Sequence, residues 1–119
     1  MPHAFRLKPS TIPGAGVGVF ATADIPAGAV LHELFADNDV WFLTWAEFAA
    51  LDVPAEVKEN FAVRYDDGCY LPRDFTRVSV GWFLNDSRDP NLSHDADYVY
   101  SALRAIRAGE ELFIDYDRL

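Results

Sequence analysis

The chain has 119 residues, half of them hydrophobic and 14% aromatic, with 19 acidic and 10 basic side chains and a formal net charge of −9. That length fits one packed domain over residues 1–119, and the composition excludes a disordered tail. The acidic balance excludes a phosphate-reading surface and either attracts a cationic partner or only keeps the chain in solution, and the single cysteine, Cys69, excludes both a disulfide framework and a multi-cysteine zinc site.

No direct nucleic-acid binding is therefore expected. No apolar run is long enough to cross a bilayer and no secretory leader is visible, so no membrane association is expected either. The expected location is cytoplasmic, or nuclear or host-nuclear for a eukaryotic or viral source.

Pro9 and the stretch IPGAG (12–16) mark a first turn, followed by a strand, VGVFA (17–21). Gly14, Gly16 and Gly18 alternate here and leave one face of the backbone free of side chains. A ligand could come close to the main chain there. A dinucleotide-binding fingerprint fits poorly, because no strand precedes the glycines and no amphipathic helix follows them. Taken alone, the stretch reads as a tight turn.

DIPAG (24–28) is the next turn and AVLHELF (29–35) the next predicted strand. TWAEFAALD (44–52) predicts a helix: Thr44 is the N-cap, Glu47 completes a capping box, and Trp45, Phe48, Ala49 and Leu51 share a face. Pro54 starts a second short helix that runs to about Asn60. FAVRYDDGCYL (61–71) reads as a hairpin with Asp67-Gly68 as its two-residue turn.

GWFLNDSRDPNL (81–92) passes from an apolar run into Asn85-Asp86-Ser87 and then the bend Asp89-Pro90-Asn91. Either a buried segment ends in a surface loop, or short polar groups are presented to a ligand. ADYVYSAL (96–103) and ELFIDY (111–116) are strand candidates rich in aromatic and β-branched residues, the second ending on Asp115 and Tyr116. The pattern I-x-A-G-x-x-L occurs at Ile25–Leu31 and again at Ile106–Leu112, so one local turn geometry is built twice. His3, His32 and His94 show no metal-ligand spacing, and no metal site is expected. These elements predict a mostly-β domain of short strands with one or two short helices.

The order of three motifs adds to this reading. G-x-G-V-F near the start, F-L-N-D-S-R-D-P-N in the middle and G-E-E-L-F-I-D-Y at the end resemble the SET-domain protein lysine methyltransferases. The resemblance runs from about Arg6 to Tyr116. It implies a small SET-domain, β-clip-like fold with a C-terminal pseudoknot, in which residues 83–91 form the loop that the final strand passes through.

It further implies S-adenosylmethionine as cofactor. Gly16, Val17 and Gly18 would hold its methionine part through the main chain. Asn85 would bind it with amide and backbone, and Asp86 through a main-chain contact to the adenine. Relatives usually carry His at the position of Asp86. Tyr116 would be the catalytic tyrosine, its hydroxyl beside the departing methyl group. His94 reads either as a structural or solvated histidine or as a residue of the substrate channel, and Tyr98, which its spacing puts on one strand face with Tyr100, either as core or as a wall of that channel.

The implied activity is methyl transfer to a lysine of a basic, Lys/Arg-rich protein, such as a histone-like or ribosomal-protein tail. Many relatives place a further segment after the D-Y, often a three-cysteine zinc module that covers the adenine. Here Asp117-Arg118-Leu119 follow, so a homodimer in which a second subunit supplies the lid is expected. The rival reading is a SET-like module that binds a basic peptide or protein partner without turnover. The missing lid and Asp86 favour that reading; the Gly-x-Gly stretch, Asn85 and Tyr116 oppose it.

Overall fold

The computed structural model describes residues 3–119. β1 (Phe5–Pro9) and β2 (Val17–Ala21) form an antiparallel hairpin, with Phe5 opposite Ala21 and Pro9 opposite Val17. Gly14 and Gly16 sit at φ of 78° and 74°, the left-handed region that glycine enters without steric cost. The Ser10 N–H closes the loop by donating to the Gly16 carbonyl at 2.8 Å.

β3 (Val40–Thr44) runs into α1 (Trp45–Ala50), and α2 (Ala55–Phe61) follows. β4 (Val63–Arg64) and β5 (Gly68–Pro72) make a second hairpin. β6 (Asn85–Asp86), β7 (Leu92–His94), β8 (Tyr100–Ala102) and β9 (Glu111–Ile114) complete the chain order.

Three sheets result, in the orders β1-β2-β9-β6, β3-β5-β4 and β7-β8. β9 lies between β2, to which it is antiparallel, and β6, to which it is parallel. Its even-numbered residues point inward: Leu112 and Ile114 join Val19, Ile25, Leu31, Leu34, Leu84, Leu92 and Ile106 in the main core. Burying each such aliphatic side chain stabilises the fold by about 1.5–3 kcal/mol. A smaller core, Leu43, Phe48, Cys69 and Leu71, lies under α1. No helix among the described residues is long and apolar enough to cross a membrane.

The mostly-β fold with two short helices is as expected, and the capping box of α1 is complete. Thr44 Oγ1 accepts from the Glu47 N–H at 3.2 Å, and Glu47 Oε1 accepts from the Thr44 N–H at 3.0 Å. The duplicated turn is present twice, with Gly28 at φ 83° and Gly109 at φ 87°. The two copies also meet, because Ile25 and Ile106 exchange backbone hydrogen bonds of 2.7 and 2.8 Å.

Several expectations are corrected. Residues 29–35 are not a strand: Val30 makes one isolated bridge to Ser101, and His32–Leu34 is a 3-10 turn that buries Leu34. The second hairpin turns on Asp66-Asp67, with the Tyr65 N–H donating to the Gly68 carbonyl. Gly68 instead opens β5, where a Cβ would strike the Leu43 carbonyl and the Phe42 ring. Tyr98 is not on a strand face with Tyr100; it occupies a turn at φ 59°. β9 ends at Ile114, so Asp115 and Tyr116 lie beyond it, Tyr116 opening a 3-10 turn.

Candidate functional site

One short segment, Leu84 to Ser87, has a different partner on each side. On the hairpin side, Asn85 Nδ2 donates to the Val17 carbonyl at 3.0 Å and to Glu111 Oε2 at 3.1 Å. On the other side, the Leu84 carbonyl accepts from the Tyr116 hydroxyl at 2.5 Å, and Asp86 Oδ1 accepts from the Tyr116 N–H at 2.8 Å. The segment is held in place by its parallel pairing with β9, and the Ser87 N–H extends that pairing by donating to the Ile114 carbonyl.

Glu111 is the hub of the hairpin side. It is 4% exposed, yet its carboxylate accepts from Ser10 Oγ, the Thr11 N–H, Thr11 Oγ1 and Asn85 Nδ2 at 2.7–3.2 Å. Burial opposes its charge, but the hydrogen bonds from Thr11, Asn85 and Ser10 prevail and hold its pKa below the usual carboxylate value. Gly18 lies against this carboxylate: a Cβ there would overlap Glu111 and press on Asn85 Nδ2. Its backbone is ordinary strand, so close approach, rather than a positive φ, is what requires glycine.

Gly14 and Gly16 differ from Gly18, since a Cβ on either meets nothing within 4 Å. Gly16 and Val17 are exposed as well, so a stretch of bare backbone faces open space beside Asn85. That stretch and the Asn85 carboxamide carry main-chain N–H, C=O and amide groups without a fixed charge. They suit the amino-acid end of a zwitterionic cofactor.

Beyond Tyr116 lies a cavity of about 860 Å³. Its wall includes Tyr70, Trp82, Tyr98, Tyr100, Tyr116 and Phe61. The buried Asp39 carboxylate fixes Trp82 by accepting from its Nε1, and from the Ser79 N–H, at 3.0 Å each. The Tyr65 and Tyr98 hydroxyls are hydrogen-bonded to each other, and the His94 ring stacks on Tyr98 at 5.3 Å.

Asp95 holds Tyr98 in its left-handed conformation. Its carboxylate accepts from the Asp97 and Val99 N–H groups at 2.9 and 3.0 Å. An aromatic residue at positive φ is strained by about 1 kcal/mol or more, a strain that clusters at functional sites.

Three of the phenols, Tyr65, Tyr100 and Tyr116, resist ionisation. Burial, then the neighbouring Tyr98 and Tyr116, push Tyr100 up to about 12. Burial, followed by the bond to Tyr98, raises Tyr65. Tyr116 is raised by burial first and by the Asp86 charge second. The cavity therefore offers neutral hydroxyls and ring faces at neutral pH, a lining chemically able to take up a partly desolvated cationic group.

Among the residues singled out by sequence, Gly18, Val17 and Asn85 come together at the hairpin, and Asp86 meets Tyr116. Tyr98 and Tyr116 line the cavity, while His94 stands behind Tyr98. Gly16, Val17, Gly18, Asn85 and Asp86 lie outside the cavity wall. Leu84 joins the two places. Glu111, Tyr65 and Asp39 were missed. Glu111 stands in the G-E-E-L stretch, but nothing local signals that its carboxylate is buried.

A family model described as the SET domain matches residues 16–117. No curated protein matches the chain significantly. Among solved structures, the chain is similar to a humanised mutant of the Chaetomium thermophilum Polycomb Repressive Complex 2 bound to the inhibitor GSK126 (22% identity, TM-score 0.67, 98% of this chain). It is also similar to ctPRC2 in an autoinhibited conformation bound to S-adenosylmethionine (22%, 0.66, 98%), and to the Chaetomium thermophilum complex itself (23%, 0.66, 98%). This chain spans 15% of the length of each of those chains.

Proposed function

The chain belongs to the SET-domain family, and from that premise we propose that it transfers a methyl group from S-adenosylmethionine to a lysine of a basic protein. One observation carries the reading: consecutive residues, Leu84 and Asn85, contact the cavity tyrosine on one side and the exposed Val17 carbonyl, between Gly16 and Gly18, on the other. A cofactor held along Gly16-Val17 would then present its reacting end across Leu84 toward Tyr116. When bound, the cofactor supplies an electrophilic sulfonium methyl. In this reading β9 passes beneath the 83–91 segment.

The residues present fit that role. Free lysine has a pKa of about 10.4, so the attacking amine is scarce at neutral pH. A cavity walled by Tyr98, Tyr100 and Tyr116 desolvates the ammonium and lowers that pKa. The raised pKa of Tyr116 keeps its hydroxyl protonated at neutral pH, so it orients the amine and does not act as a base. Alignment of amine and methyl at about 3–3.5 Å supplies much of the remaining rate. The net charge of −9 favours cationic substrates.

The test is methyl transfer from labelled cofactor to a panel of cationic proteins, with cofactor binding followed by calorimetry. Binding with transfer supports the enzyme, and neither binding nor transfer rejects it. A second reading, a module that holds a basic partner without turnover, is favoured by one observation. Both hydrogen bonds of Asn85 Nδ2 go to the protein itself, to Val17 and Glu111. Peptide binding without cofactor binding would select that reading.

A further inference from the structure

We propose that Asp86 is a positioning residue that sets the place of Tyr116 by gripping its backbone. The ladder between β6 and β9 stops at the pair Asp86–Ile114, so no strand hydrogen bond reaches Tyr116. Tyr116 then opens a 3-10 turn whose internal bonds begin later: Arg118 donates to the Asp115 carbonyl and Leu119 to the Tyr116 carbonyl. The first two N–H groups of that turn have no main-chain partner, the usual state of a helix start. Carboxylates take both. Asp115 accepts from the Asp117 N–H at 3.0 Å, and Asp86, from a different strand, accepts from the Tyr116 N–H at 2.8 Å.

The consequence lies in the ring. Tyr116 is 47% exposed, so packing alone does not fix it. Two residues of one short segment hold it at both ends, Asp86 at the backbone and the Leu84 carbonyl at the hydroxyl. Releasing the backbone end lets the residue pivot on its hydroxyl bond and moves the phenol relative to the cavity. Nothing in that change touches the Gly16-Val17 backbone or Asn85. The kinetic side of this inference rests on the methyl-transfer reading; the geometric side does not.

The full chain is compared with Asp86→Ala, which removes the acceptor, and Asp86→Asn, which keeps a carbonyl oxygen there. Asp86 is exposed, and circular dichroism verifies that both variants fold. Three quantities are read: cofactor affinity, single-turnover methyl transfer, and the fluorine NMR signal of Tyr116 in 3-fluorotyrosine-labelled protein, assigned with Tyr116→Phe. Asp86→Ala should slow transfer by about 10- to 100-fold, the usual consequence of misplacing a group at a reacting centre. Cofactor affinity should fall far less than the rate, because the adenine contact that the family implies for Asp86 is made by its main chain, which the substitution keeps. Asp86→Ala should also broaden or shift the Tyr116 signal. Asp86→Asn should recover most of the rate and the wild-type signal.

An unchanged signal and rate in Asp86→Ala overturn the proposal, as does an Asp86→Asn variant as impaired as Asp86→Ala. If no variant and no wild-type protein transfers methyl, yet the signal responds as described, the clamp stands and the methyl-transfer reading fails.

Discussion

Gly18 and Glu111 compete for the same space, and this changes what the glycine means. Its spacing before a strand suggested an approach by ligand; the group that actually approaches is a carboxylate of the same chain. Gly18→Ala should therefore destabilise the wild-type protein by displacing Glu111, and much less in a Glu111→Ala background. A double-mutant cycle by urea denaturation measures that coupling, which should reach about 0.5–3 kcal/mol for groups in contact. Additive effects would remove Glu111 as the reason for the glycine.

Glu111→Gln should lower stability at pH 7 by about 2 kcal/mol, the scale of hydrogen bonds to a charged group. Because the folded-state pKa of Glu111 is depressed, its contribution is complete above the unfolded value of about 4.3 and is lost as pH falls through the lower folded value. The wild-type advantage over Glu111→Gln should thus vanish in acid. Tyr116→Phe removes one hydroxyl and its bond to Leu84. It should cost about 1 kcal/mol of stability and leave cofactor affinity intact, while single-turnover transfer slows by roughly 100-fold.

At the level of elements, what could be read locally came out and what depends on distant partners did not. The capping box of α1 is a four-residue signal, and the twin glycine turns are sharper still, so both were legible. The stretch 29–35 has strand composition, but only Val30 finds a strand neighbour, and burial of Leu34 against the main core curls the rest into a 3-10 turn. Tyr98 shows the same limit. An alternation with Tyr100 predicts a shared face, yet the Asp95 turn reverses it into the cavity. The motifs point to Asn85, Asp86 and Tyr116 as site residues. That the carboxylates of Glu111 and Asp86 support Asn85 and Tyr116 became visible only through cross-strand pairing.

One element interaction was illegible altogether. Lys58 of α2 is 8% exposed, and its Nζ donates to the Phe48 and Leu51 carbonyls at 2.7 and 3.2 Å over the Phe48 ring, tying α2 to the end of α1. Lys58→Met keeps the aliphatic stem and loses the donor, so unfolding free energy should fall by about 1–3 kcal/mol. An unaltered denaturation midpoint would mean that water serves those carbonyls equally well.

Across the whole molecule, binding and stability are linked. Cofactor at about 100 times its Kd should add about 2.7 kcal/mol of stability and raise Tm by several degrees. Salt should act separately: with a net charge of −9, association with a cationic substrate should slow as ionic strength rises, while cofactor affinity changes little. Stopped-flow binding at two salt concentrations distinguishes the effects.

The placement of β9 between β2 and β6 also governs how the protein comes to exist. Every strand of its sheet precedes it along the chain, and the Thr11–Glu111 contact spans 100 residues. Such remote pairing must pay a large loop-closure entropy before any contact rewards it. During synthesis, the hairpin of β1 and β2 emerges early and waits with one edge unpaired until β9 arrives. A nascent chain halted before Glu111 should remain protease-sensitive and prone to association, and the first trypsin-resistant species should appear only after β9 has left the ribosome.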